Sequence, residues 1–278
     1  MTRRLASGPV CWGVDFAGEA ANPGWEEVLD GIAAAGYPGT ELGPLGFLPL
    51  EPRALARRGL TLAGGFVFEP LHDPRRSARA VRLAERVAHA VRELGGEYLL
   101  LIDSVSPERG ATAGRSEAAE RLSGARRDAM AEAIAAAAAA VEGAGVVPLV
   151  HPHAGTYVEF ADEIEPLAEI CGLCVDTGHF AYAGLDPVAF LAAEPAVVGS
   201  IHLKDLDPAR VGADFWSSVE AGAFVPLGEG SVDIAGLLAA ADRGGYDGWM
   251  VVEQDRRPGA GDPVADLRAS RRFLESLA

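Results

Sequence analysis

The segment LVHPHAGTYVE, residues 149–159, ends an apolar run on two histidines one residue apart, in a chain with six histidines. Imidazole can transfer protons, hydrogen-bond a substrate or coordinate a transition metal. Three further apolar runs finish in a similar way. LCVDTGH (173–179) ends on Asp176 and His179, VGSIHLKD (198–205) carries His202, Lys204 and Asp205, and GWMVVEQD (248–255) carries Glu253, Gln254 and Asp255. One polar residue at the end of an apolar run is weak evidence, because surface turns also begin there. Four consecutive runs ending on His151, Asp176, His202 and Glu253 form a pattern that a solvated face does not arrange. Two imidazoles and two carboxylates suit a divalent ion such as Mn²⁺, Co²⁺, Fe²⁺ or Zn²⁺, and suit Ca²⁺ or Mg²⁺ less well. The alternative is a set of strand-end polar groups that cap helices and bond to one another.

These residues need a scaffold that gathers strand ends. Before them, VCWGVDF (10–16), GTELG (39–43), LTLAGGFVF (60–68) and YLLLIDS (98–104) also read as buried strands, and each of the eight strands is followed by a helical stretch. The helices include an Arg-rich one from about Arg75 to Leu94 and a long one ending at Gly143, whose alanine run AIAAAAAA is the strongest helix former available. Apolar strands alternating with helices imply a parallel sheet covered on both faces, and eight units in this length predict a closed (β/α)₈ TIM barrel, α/β class, as one domain over residues 1–278. A doubly wound open sheet is the alternative, but no G-x-G-x-x-G follows the first strand and no Walker sequence is present. In a closed parallel barrel the chemistry gathers at the C-terminal ends of the strands. The remaining strand ends there are Asp15, Glu41, Glu69 and Asp103.

Composition narrows the partners. A formal net charge of -16 argues against a surface that tracks nucleic-acid phosphates, which needs clustered Lys and Arg. No apolar run approaches a membrane span and the N-terminus lacks a signal-peptide core, so the expectation is a cytoplasmic protein, with a homo-oligomer left open. Cys11, Cys171 and Cys174 do not make a disulfide scaffold, and the C-x-x-C of the last two supplies half a zinc site with no second pair.

Other residues have competing readings. Lys204 is the single lysine of the chain. Unlike arginine it can give up its proton, which makes it a catalytic or substrate-binding candidate, against a salt bridge to Asp205 or Glu229. His153 shares the side-chain phase of His151 and could face substrate. Glu41 could bind substrate hydroxyls or pair with an arginine across the barrel. His72 lies just past the third strand, within reach of the mouth, whereas His89 reads as surface. Trp12, Phe16 and Trp216 could wall a ring-shaped substrate, with core packing the expected fate of the first two. The long connections 103–118 and 206–231 have the length of lids.

VDTGHFAYAGLDP, IHLKD, VPLGEGSVDIAGLL and GYDGWMVVEQD resemble the xylose-isomerase-like TIM-barrel superfamily of sugar isomerases, epimerases and dehydratases. Within it, TELGPLGFLP, HPHAGT, HLKD and VVEQD are most similar to the inosose dehydratase branch, whose members dehydrate keto-inositol. The resemblance implies metal ligands at the ends of strands five to eight, here His151, Asp176, His202 and Glu253, around one divalent ion, Mn²⁺ or Co²⁺ first, with Zn²⁺, Fe²⁺ or Mg²⁺ as alternatives. It also implies that His179 is a substrate-binding or acid/base group and Glu253 a catalytic base. Many sugar epimerases of the superfamily have glutamate at the first ligand position, and the dehydratase branch tends to carry histidine there. Exchanging a carboxylate for imidazole removes one of two opposed bases, which disfavours two-base epimerisation and suits dehydration of an unphosphorylated polyol or sugar ketone. The competing readings are a sugar or cyclitol isomerase or epimerase, a Schiff-base aldolase centred on Lys204 and a non-catalytic sugar-binding barrel. A three-zinc apurinic-site endonuclease is disfavoured by the acidic chain and the few histidines.

Overall fold

The computed structural model describes residues 3–277. Its sheet is a ring of parallel strands: β1 (Arg4–Ser7), β2 (Gly39–Thr40), β3 (Thr61–Leu62 continuing as Gly64–Glu69), β4 (Tyr98–Asp103), β5 (Val147–Val150), β6 (Gly172–Asp176), β7 (Val198–Leu203) and β8 (Trp249–Val252). Each strand pairs with the next, and β1 pairs with β8. The first segment of β3 bonds to β2 and the second to β4, so the sheet closes through Ala63. Among the described residues no helix is long and apolar enough to cross a membrane.

Side-chain alternation divides the core in two. Tyr98, Leu100 and Ile102 of β4 point into the barrel with Leu149, Cys174, Trp249 and Val251, while Leu99 and Leu101 point outward against the helices. The interior is filled, not hollow, and its large rings set the glycines: a Cβ on Gly64 would lie 2.4 Å from the Tyr98 ring, and one on Gly39 would lie 2.6 Å from Trp249. Outside, the alanine-rich stretch forms the helix Gly124–Gly143, which buries Met130, Ala133, Ile134, Ala137, Ala138 and Val141 at helical spacing. The Arg-rich stretch forms Ser77–Glu93 and packs beside it.

Two expectations need correction. The first strand is Arg4–Ser7, not residues 10–16; Pro9–Trp12 make a 3₁₀ turn that ends at Gly13 with φ 76°. The apolar residues of that stretch are buried as a turn over the barrel end, which hydrophobicity alone does not distinguish from a buried strand. The long connections are not bare lids. Residues 206–231 contain a helix (Phe215–Glu220) and one strand of a small antiparallel ribbon, Phe224–Val225, paired with Asp205–Leu206. Residues 103–118 are pinned by a buried arginine, Arg109, whose terminal nitrogens bond to Glu159, Glu163 and the carbonyl of Glu120.

Candidate metal and substrate centre

The strand ends bring the sequence candidates to one mouth through ladder geometry. Asp176 and His202 are direct register partners on β6 and β7. His151, Glu253 and Glu41 each lie one residue past a strand, yet their amides still donate to the neighbouring strand: His151 to Leu101 O (3.1 Å), Glu253 to Leu203 O (3.1 Å) and Glu41 to Ser7 O (2.9 Å). Their side chains are therefore held as firmly as strand residues.

Asp176 is the hub. Its Oδ1 accepts from the amides of Gly178 and His179, both at 3.0 Å, and so caps the helix Thr177–Tyr182. This leaves Oδ2 facing the site, 3.3 Å from His151 Nε2, 3.6 Å from His202 Nδ1 and 3.2 Å from Lys204 Nζ. His202 Nδ1 in turn lies 2.8 Å from Glu253 Oε2. Asp176 Oδ2 and His202 Nδ1 are fully buried among these charged contacts without a well-directed hydrogen bond. The middle of DTGH serves Lys204: Thr177 Oγ1 donates to the Lys204 carbonyl at 2.6 Å and accepts from its amide at 2.8 Å, and a Cβ on Gly178 would lie 2.6 Å from Lys204 Cβ.

Lys204 Nζ donates to Asp255 Oδ1 (2.8 Å) and His179 Nε2 (3.1 Å) and lies 3.4 Å from Glu253 Oε2. Burial alone would lower its pKa, but Asp176, Asp255 and Glu253 raise it well above the ordinary lysine value. The lysine is held as an ammonium, the reverse of what a Schiff-base nucleophile requires. Its partners are these three acids; Asp205 instead turns away and accepts from the amides of Leu206, Gly228, Gly230 and Val232, closing the GEGS loop. Asp176 goes well below the usual carboxylate range despite its burial, through Lys204 and His179. Glu253 falls to about 2 in spite of burial, through His202 and Lys204. His202 is raised well above the ordinary imidazole value, although its burial opposes this, by Cys174, Glu253 and Glu41.

Glu41 is tied into the same network from across the barrel. Tyr98 donates its hydroxyl to Glu41 Oε1 at 2.6 Å, and His202 Nε2 lies 3.2 Å from the same oxygen. A carboxylate on Nε2 orients the ring so that Nδ1 is presented to the site. No arginine pairs with Glu41, although its side chain still borders the cavity.

That cavity opens to solvent and is bordered by Glu41, His151, His153, His202, Lys204 and Glu253 among others. Its apolar wall includes Phe68, Phe215 and Trp216. His153 donates from Nδ1 to the carbonyl of Ala154 at 2.8 Å, which leaves Nε2 as the acceptor, and burial beside His151 and Lys204 lowers its pKa to about 3.

His179 and His72 stand differently from the sequence expectation. His179 lies behind His153, ring centroids 3.8 Å apart, and does not border the cavity; its Nε2 is 3.1 Å from Lys204 Nζ, 3.6 Å from Asp255 Oδ2 and 4.0 Å from Asp176 Oδ2. His72 bonds through Nδ1 to Asp103 Oδ1 at 2.7 Å and packs on Tyr157, outside the cavity. Asp103 also accepts from the Tyr157 amide, so this strand-end acid fastens the loop after β5. Trp12 is buried as expected, whereas Phe16 is 47% exposed at the rim, 6.2 Å from Phe68. Asp255, at the heart of the lysine cluster, and the aromatic Phe215 were visible in the sequence only as a strand-end acid and a loop residue.

A family profile described as "Xylose isomerase-like TIM barrel" matches residues 29–277. The chain belongs to this family. It is 26% identical to an inosose dehydratase of Geobacillus kaustophilus (strain HTA426) over 99% of this chain and 94% of that one. It is 29% identical to the rhizopine catabolism protein MocC of Rhizobium meliloti over 100% of this chain and 89% of that one. Among solved structures, D-allulose 3-epimerase from Methylomonas sp. superposes with a TM-score of 0.74 at 15% identity, covering 99% and 98% of the two chains. The sequence relatives are thus named as an inosose dehydratase and a rhizopine catabolism protein, and the structural likeness shows the shared barrel fold.

Proposed function

We propose that this protein, a single barrel domain, is a metal-dependent enzyme that enolises a keto-cyclitol or keto-sugar and expels a β-hydroxyl, in the manner of an inosose dehydratase. The observation that carries this reading is the convergence of Asp176 Oδ2 and His202 Nδ1, both buried and without a well-directed hydrogen bond, with His151 and Glu253 within 3.3 and 2.8 Å of them. The site also holds more acid than base: Asp176, Glu253 and Asp255 surround one ammonium, an excess that a dication would offset. His151, Asp176, His202 and Glu253 would hold it, with Mn²⁺ or Co²⁺ favoured by the two imidazoles. When bound, such an ion supplies an electrophile for a substrate ketone oxygen.

The chain's own groups supply the rest. Glu253, kept ionised by His202 and Lys204, borders the cavity as the proton acceptor at the carbon beside the ketone. Lys204 presents a fixed positive charge to the developing oxyanion, with His179 holding Nζ in place. His153 offers a neutral acceptor to a substrate hydroxyl, Glu41 borders the pocket while steadying His202, and Phe68, Phe215 and Trp216 exclude water from the ring face. His151 replaces one of two opposed carboxylates, which supports dehydration over epimerisation. Incubation of metal-loaded protein with an inosose is expected to give an enone absorbance that a chelator abolishes. Unchanged absorbance with epimer formation by NMR would establish the epimerase reading instead.

A further inference from the structure

Expulsion of a β-hydroxyl as water needs a proton donor, and the groups assigned above have other roles: Asp176 and His202 as candidate ligands, Glu253 as the proton acceptor, and Lys204 in its contacts with Asp255 at 2.8 Å and His179 at 3.1 Å. We propose, resting on the dehydratase reading, that Asp15 is the general acid of this site, delivering its carboxyl proton to the leaving hydroxyl. Asp15 borders the same cavity as Glu253 and Lys204, on the turn that follows the first strand. The turn is seated: Gly13 has φ 76°, and a Cβ there would lie 2.4 Å from Pro258 N and 2.8 Å from Arg256 O, so the residue two before Asp15 rests on the backbone of residues 256–258, just after Asp255. A side chain at residue 13 would lift Asp15 from the mouth.

The acids facing Asp15 favour its protonated form. Asp255 and Glu19 repel its ionised form. The cations near it are committed elsewhere: Lys204 to Asp255 at 2.8 Å, Arg257 to Glu220 at 2.8 Å and to the face of Trp216, and the cavity-lining Arg256 to Asp266 at 2.7 Å and to the carbonyl of Ala260. Burial, aided by Asp255 and Glu19 and partly offset by Lys204 and Arg257, pushes its carboxyl up to about 7, suited to giving a proton near neutrality.

The step balances. Glu253 takes the α-proton and the C–H electron pair becomes the enolate. As the carbonyl re-forms, the C=C pair shifts and the C–O bond to the β-hydroxyl breaks, its pair leaving on oxygen. Asp15 supplies the proton that makes the leaving group water, and then recovers one from solvent as Glu253 releases its own.

The test is Asp15→Asn in metal-loaded protein with an inosose in D₂O, following α-hydrogen exchange by NMR and dehydration by absorbance. Exchange is expected to stay within about 3-fold of wild type while dehydration falls by about 100-fold or more, with loss of the alkaline limb of the kcat profile; Asp15→Glu retains both reactions. Dehydration by Asp15→Asn at the wild-type rate with the same pH limb, or an effect confined to KM, overturns the assignment. Equal loss of exchange and dehydration in both variants, with an unchanged melting curve, also overturns it. A wild-type protein that neither exchanges nor dehydrates removes the dehydratase reading itself, and the assignment with it.

Discussion

Two of the basic side chains that the barrel buries beside acids, Arg109 and Lys204, are treated in opposite ways. Arg109 is wholly enclosed, and its two terminal nitrogens are saturated by Glu163 (2.6 and 3.0 Å), Glu159 (3.2 Å) and the carbonyl of Glu120 (2.8 Å), only Nε lacking a partner. Tyr157 and Phe160 lie against its guanidinium. Lys204 is equally buried but sits in a cluster of loosely directed contacts: His151 Nδ1, Asp176 Oδ2, His202 Nδ1 and Asp255 Oδ2 lack a well-directed hydrogen bond. A saturated cluster fixes a loop; one with loosely directed contacts is built for something that arrives later. Their place in the barrel agrees with this contrast. Arg109 joins the loop after β4 to the segment that precedes the helix Ala161–Ala168, and Lys204 borders the cavity.

The contrast can be broken by substitution. Arg109→Met should cost about 3–5 kcal/mol in urea unfolding, because it strands Glu159 and Glu163, while leaving the turnover of the folded fraction within a few-fold; a stability change below about 1 kcal/mol would show that the two clusters are alike. Asp176→Asn keeps the Oδ1 cap and removes the site oxygen's charge, so turnover should drop by about 100-fold or more while the melting temperature moves little. Loss of cooperative unfolding instead would place Asp176 among structural residues.

Smaller effects sharpen the same distinction. Glu41→Gln should weaken Mn²⁺ or Co²⁺ binding by about 10–100-fold, read by calorimetry without substrate, through the loosened His202 ring; an unchanged affinity would return Glu41 to a purely substrate-contacting role. Asp15 gives the finest test. Its folded pKa lies above its unfolded value, so it contributes stability below about pH 4 that is lost as pH rises towards about 7. In Asp15→Asn the decline of stability across that window should flatten by one proton's worth, measured by urea midpoints at successive pH values.

Much of this was written in local pattern. The apolar runs ending at His151, Asp176 and Glu253 announced both strand and strand end, since a parallel strand buried on two faces must be apolar until it leaves the sheet. The same logic failed at VCWGVDF, where burial comes from a turn closing the barrel end, and Pro9 and Gly13 were the signals against a strand. It failed also for the two long connections, because Arg109 meets Glu159 and Glu163 some 50 residues away and no local pattern marks such a pair. The sole lysine was correctly singled out, but its partners were not: Asp205 is its neighbour in sequence, yet adjacent strand-end residues point apart, and Asp255 reaches it from the next strand.

By itself, then, the sequence determined the alternation of eight strands with helices and the polar residues that end β5 to β8, which follow from periodicity and residue type along short stretches, while its motifs carried the resemblance to the family. Only the tertiary structure decided that Asp176 is the meeting point, that Glu41 holds His202 across 161 residues, that His72 and His179 lie off the cavity, and that Lys204 stays charged. The reason is physical: the state of a buried charge is set by what surrounds it in three dimensions, and those neighbours come from strands far apart in the chain.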